Sequence, residues 1–141
     1  MDPWTEIARI TGCRVPPDVK AACEGEKLVT VPAGRELFAA GPLEKQWQKP
    51  PMVWGAFEEM DADWYRRGNQ LDPSWYGARR GSPVLIYEYR VDIEKPTPAV
   101  MSYVKNLGGA ISPAWPRKFQ YYNPAGFGVP KLGRFLGKWA P

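Results

Sequence analysis

SPVLIYEYRVDIE, residues Ser82 to Glu94, carries the strongest strand signal in the chain. Leu85, Tyr87, Tyr89 and Val91 alternate with Ile86, Glu88, Arg90 and Asp92, so one face is apolar and the other charged. A strand with that pattern packs one side on a core and turns the other toward water or a cleft. Pro96 and Pro98 stop it.

Upstream, KLVTV (Lys27 to Val31) is a second alternating, β-branched strand, turned by Pro32-Ala33-Gly34. Arg35 to Ala39 is a short strand, and Gly41 to Pro51 is loop. Ala56 to Tyr65 is expected to be helical and Gly68 to Gly81 turn-rich. Downstream, Ala99 to Asn106 is expected to form a short helix ending at Gly108-Gly109. Ala110 to Ser112 and Lys118 to Tyr122 are two more strands. Phe127 to Trp139 interleaves glycine with aromatic and basic residues and fits no single pattern.

The first 25 residues differ in character. Asp2 and Pro3 form a helix start, with Asp as N-cap and Pro at the first helical position. Trp4, Ile7, Ala8 and Ile10 lie on one face and Gly12 ends the helix. After the break at Val15 to Asp18, a second short helix runs to Cys23 and closes at Gly25. Cys13 and Cys23 flank this hairpin as two thiols or a local disulfide, and the spacing does not choose between them; export favours the disulfide. Helices this short are marginal alone. Residues 1–25 are therefore expected to be a helical hairpin that borrows apolar surface, through Trp4, Ile7 and Ile10, from a domain over 26–141. The expected class is α+β: short N-terminal helices, then a compact, mainly antiparallel, split β-sheet.

Composition narrows the chemistry. The chain has 141 residues, one domain's worth. It has no histidine, so no Ser-His-Asp triad, Cys-His pair or His-ligated metal can come from it alone. No metal is expected. Its apolar runs are only a few residues long, against the ~20 a spanning helix needs, so no membrane span is expected. The N-terminus lacks a signal-peptide pattern. Gly (14) and Pro (16) make up about a fifth of the chain, against roughly 12 % on average, which means short elements and many turns. Charge is uneven: residues 1–60 carry 7 basic and 9 acidic residues, and residues 61–141 carry 12 basic and 6 acidic. From Lys105 onward there is no acid, so this part attracts polyanions: a phosphate-bearing ligand, nucleic acid or an acidic protein.

Three groups of residues can carry chemistry. Glu58, Glu59, Asp61 and Asp63 form an acidic patch; paired carboxylates can perform general acid/base work or hold a hard metal ion, and the plain reading is a solvated helix face. The cations and aromatics from Trp115 to Trp139 can stack bases and pair phosphates. Gly126-Phe127-Gly128 follows the turn signal Asn123-Pro124 and is not a phosphate-binding fingerprint. The third group is Tyr87-Glu88-Tyr89-Arg90-Val91, Gly109-Ala110-Ile111-Ser112-Pro113-Ala114-Trp115, and Phe119-Gln120-Tyr121.

That order of motifs resembles the C-terminal half of the tuberculosis necrotizing toxin family of NAD glycohydrolases. Val31-Pro32-Ala33-Gly34 followed by Gly41 is similar to the family's first turn, Gly55-Ala56-Phe57 to its Gly-x-aromatic step, and Arg79-Arg80 stand where it has an arginine before the main strand. The resemblance covers about residues 29–122. It departs at Ala39, where the family has arginine, at Tyr87, which takes the place of a histidine, and at Pro116 to Phe119, which replace a glycine-rich run. It therefore points to an NAD-binding, ADP-ribosyltransferase-like fold before it points to an intact hydrolase site.

The resemblance implies a small bacterial toxin or effector domain that consumes NAD by cleaving the nicotinamide–ribose bond, by hydrolysis or by ADP-ribosyl transfer. It implies delivery or secretion into a target-cell cytoplasm, interbacterial competition and a cognate immunity protein as partner. Gln120, Glu88 and Tyr87 would be catalytic; Arg35, Arg79 and Arg80 would hold the pyrophosphate; Phe57 and Trp115 would wall the nicotinamide. The alternatives are a histidine-free ribonuclease acting through the basic C-terminal face and a non-enzymatic interaction module.

Overall fold

A computed structural model describes residues 2–42, 52–55, 84–104 and 120–139. The order is α1 (Pro3–Thr11), α2 (Pro17–Ala22), β1 (Cys23–Val31), β2 (Glu36–Pro42), β3 (Trp54–Gly55), β4 (Val84–Asp92), β5 (Thr97–Val104), β6 (Gln120–Tyr122) and β7 (Lys131–Trp139). The strands form a four-stranded sheet, β1-β5-β6-β3, and a three-stranded sheet, β2-β4-β7. Their described pairings are all antiparallel. The class is thus α+β with a split antiparallel sheet, as the alternation of Ser82 to Glu94 predicts.

The helix α1 starts where Asp2 caps it, its carboxylate accepting from the backbone N–H groups of Trp4 and Thr5 at 3.1 Å. It stops at Gly12, which adopts φ +68°. Trp4 and Ile7 are buried. Ile10 is 45 % exposed, so it does not join the anchoring face: it falls past the edge of the stripe set by Trp4, Ile7 and Ala8. Trp4 and Ile7 pack with Val15, Cys23, Val100 and Tyr122 on one face of the four-stranded sheet. Cys13 and Cys23 are both thiols, not a disulfide.

Two expectations give way to strands. Gly25 does not close a helix; it lies within β1 at φ +69°, where the register against β5 shifts between Glu24 and Lys27. Ala99 to Asn106 is not a helix over its described part. Thr97–Val104 is β5, a central strand paired with β1 on one side and β6 on the other. Ala99 and Val100 are each fully buried and point to opposite faces, which leaves no polar stripe for a surface helix. Pro98 sits in this strand opposite Thr30, and its carbonyl accepts from Asn123 Nδ2 at 2.8 Å. The glycine-rich tail is β7, an ordered strand on β4.

The two sheets enclose the main core: Val31, Leu37, Ala39, Met52, Tyr89, Val91, Ile93, Ala99, Tyr121 and Phe127. Backbone bonds pin the β1–β2 turn to the end of β4, from Gly34 N to Ile93 O at 2.8 Å and from Ile93 N to Arg35 O at 2.9 Å. Where the sheets close at β3, Gly55 is required: a Cβ there would lie 2.9 Å from Leu37 Cβ. The layers run α1, four-stranded sheet, three-stranded sheet.

Candidate functional site

Strand alternation assigns each candidate to a layer. Tyr87 shares the inner face of β4 with Tyr89 and Val91 and packs against the core between the sheets. Gln120 shares a face with Tyr122, because Tyr121 between them points into that core, so Gln120 lies on the α1 side of the four-stranded sheet opposite Ser102. Glu88 lies on the outer face of β4, away from the four-stranded sheet. Arg35 is exposed in the turn before β2, near enough to Tyr121 to act on its phenol electrostatically. Gln120, Tyr87 and Glu88 therefore point into three different layers and are not brought together on one face. Phe57, Arg79, Arg80 and Trp115 lie outside the described residues, as do the acidic patch from Glu58 to Asp63 and the Ile111 to Trp115 motif.

Glu88 departs from the simple pattern. Its face was expected to carry charge toward water or a cleft, yet Glu88 is 4 % exposed. Phe38 of β2, on the same outer face, is also buried. A buried carboxylate needs a partner, and Arg134 provides one, with Nε 3.5 Å from Glu88 Oε2.

The bulged register of β7 makes that approach. Tyr87 pairs with Phe135 and Tyr89 with Leu132, so Gly133 and Arg134 together oppose Glu88. Leu132 and Phe135 stay on the inner side, where Phe135 meets the Tyr87 ring at 5.3 Å. Arg134 turns outward onto Glu88. Gly133 leaves the gap that the carboxylate occupies, since a Cβ there would lie 3.1 Å from Glu88 Oε1. Farther along, Arg90 and Lys131 are register partners, and Lys131 Nζ lies 3.1 Å from Asp92.

The Gln120 face has a different character. Ser102 Oγ and Trp4 Nε1 are buried there with no hydrogen-bond partner among the described residues. A bridging water would satisfy such groups. Burial raises the Tyr122 phenol above its ordinary value, helped by Asp18 and the two thiols. This face holds α1 in place, and among the described residues no charged side chain is buried on it.

Among the described residues no group of three or more His, Cys, Asp or Glu could hold a metal ion, and no helix is long and apolar enough to cross a membrane. Sequence reasoning placed Arg134 among the phosphate-pairing cations of the basic tail and missed its pairing with Glu88. Its signal was Gly133-Arg134 interrupting the alternation of Leu132 and Phe135, the mark of a bulge in an edge strand. No family model, curated protein or solved structure matches the chain.

Proposed function

We propose that this domain binds and consumes NAD, with Glu88 as the carboxylate that holds the ribose and Arg134 as the residue that positions it. One observation carries the reading: a carboxylate with 5 % side-chain exposure on the middle strand of the three-stranded sheet, clamped by an arginine that is itself 52 % exposed. The motif resemblance suggests the substrate class and an ADP-ribosyltransferase-like fold; the burial of Glu88 and its pairing with Arg134 favour it among the candidates.

The chemistry suits a chain without histidine. Nicotinamide is a good leaving group, and breaking its bond to the ribose passes through an oxocarbenium-like state. A fixed carboxylate stabilises that positive charge and accepts hydrogen bonds from the ribose hydroxyls. The C–N bond pair leaves with nicotinamide, a water oxygen bonds to the ribose carbon, and the water proton goes to solvent. Arg134 holds Glu88 in place. Gln120, on the other sheet, has no part in this step.

Nicotinamide release from NAD by the purified protein tests the reading. The wild-type protein is expected to release nicotinamide, and Glu88→Gln to lower kcat about 10²-fold or more, the scale for losing one positioned electrostatic group. A folded protein that neither binds nor cleaves NAD overturns it.

A further inference from the structure

We infer that Arg90 and Lys131, together with Arg134, form an anion subsite for a phosphate-bearing ligand on the outer face of the β4–β7 ladder. Arg90 and Lys131 stand directly opposite each other in register, and like charges so placed destabilise a sheet unless an anion lies between them. Both are exposed. Glu36 and Asp92 are register partners on this face beside Glu88; Asp92 reaches Lys131 at 3.1 Å, but the Asp92 and Lys131 side chains are 58 % and 73 % exposed. Such a pair is screened by water and gives way at little cost. Arg90 holds no carboxylate among the described residues. Arg134 follows along the same face at the bulge.

The residue types fit phosphate. A guanidinium pairs two phosphate oxygens at once, and an ammonium adds a mobile point charge. No acid follows Lys105 in the sequence, so β7 brings no competing carboxylate. Glu88 lies two residues from Arg90 on the same face, roughly 7 Å along the strand. For a dinucleotide the inference rests on the function proposed above: a ribose held at Glu88 would lay its phosphates toward Arg90 and Lys131. The phosphate could equally come from RNA, and the test separates the two sources.

Inorganic pyrophosphate titrated into the full chain, followed by calorimetry, reads the subsite without any catalysis. Saturable binding is expected, with Arg90→Gln and Lys131→Gln each weakening it about tenfold, the scale of a lost charged hydrogen bond, while the circular dichroism melt of each variant does not fall. Displacement of pyrophosphate by ADP-ribose supports a dinucleotide. Displacement by a single-stranded oligoribonucleotide but not by ADP-ribose supports the phosphate subsite and overturns the NAD reading. If NAD is cleaved but pyrophosphate binding is absent, or is unchanged in both variants, the subsite is wrong and the NAD reading stands.

Discussion

Gly133 faces Glu88 across the β4–β7 ladder with no room for a side chain: a Cβ at position 133 would lie 2.9 Å from the Glu88 carbonyl oxygen and 3.1 Å from its Oε1. The buried carboxylate thus depends on a glycine in the neighbouring strand. Gly133→Ala must push Glu88 or the backbone aside, and overpacking of this kind costs about 1–3 kcal/mol. Guanidinium unfolding of the variant is expected to show that loss. An unchanged midpoint would mean that β7 can move away from Glu88.

Arg134→Ala should destabilise the protein by about 1–2 kcal/mol, less than the ~3–5 kcal/mol for breaking a fully buried pair, because the arginine is half-exposed and partly screened by solvent. The loss comes from leaving Glu88 buried with a weaker partner. Glu88→Gln in the Arg134→Ala background is expected to recover part of it. A double-mutant cycle with no coupling between the two positions would deny the pairing.

Three tyrosines predict the alkaline limit. Burial raises the phenols of Tyr89, Tyr121 and Tyr122 above the ordinary value of 10.0. The unfolded chain then loses these protons first. Their contribution to stability is fully present below pH 10.0 and is lost as pH rises through the raised folded values. Ultraviolet titration of the phenolates should show a late-ionising group, with the melting temperature falling as pH rises from 10.0 through that late ionisation. Ionisation of all tyrosines at the ordinary value in the folded protein would contradict the packing of both cores.

The N-terminal hairpin is part of the packing. Ile7 is fully buried against the four-stranded sheet, so Ile7→Ala should cost about 2–5 kcal/mol. A chain starting at Glu26 would also lose the first three residues of β1 and Cys23 from that core. It is expected to melt well below the full protein. Equal stability of the shortened chain would show that α1 merely rests on the sheet.

Local pattern was a good guide where one face of an element is buried and the other wet. Ser82 to Glu94, Lys27 to Val31 and the Asp2-capped helix all follow that rule. It failed at β5, whose residues are buried on both faces by partners far away in sequence, so Thr97 to Val104 carries no alternation to read. It failed at β7 because two bulges, one at Gly133-Arg134, break the period of two. The candidate site was legible only in part for the same reason. Glu88 stands out in the sequence as a carboxylate on a strand, but the arginine beside it is brought there by a bulge and a cross-strand register. Gln120 and Tyr87 looked like neighbours of Glu88 in a motif list; two sheets and the alternation of side chains send them to other layers.

The most direct test compares Glu88→Gln and Gln120→Ala in the same nicotinamide-release assay, with folding of each variant checked by circular dichroism. Glu88→Gln should lower kcat/KM about 10²-fold or more, while Gln120→Ala, on the far side of the other sheet, keeps the wild-type value. Loss of turnover in Gln120→Ala with full activity in Glu88→Gln would contradict the placement of the site on the outer face of the three-stranded sheet.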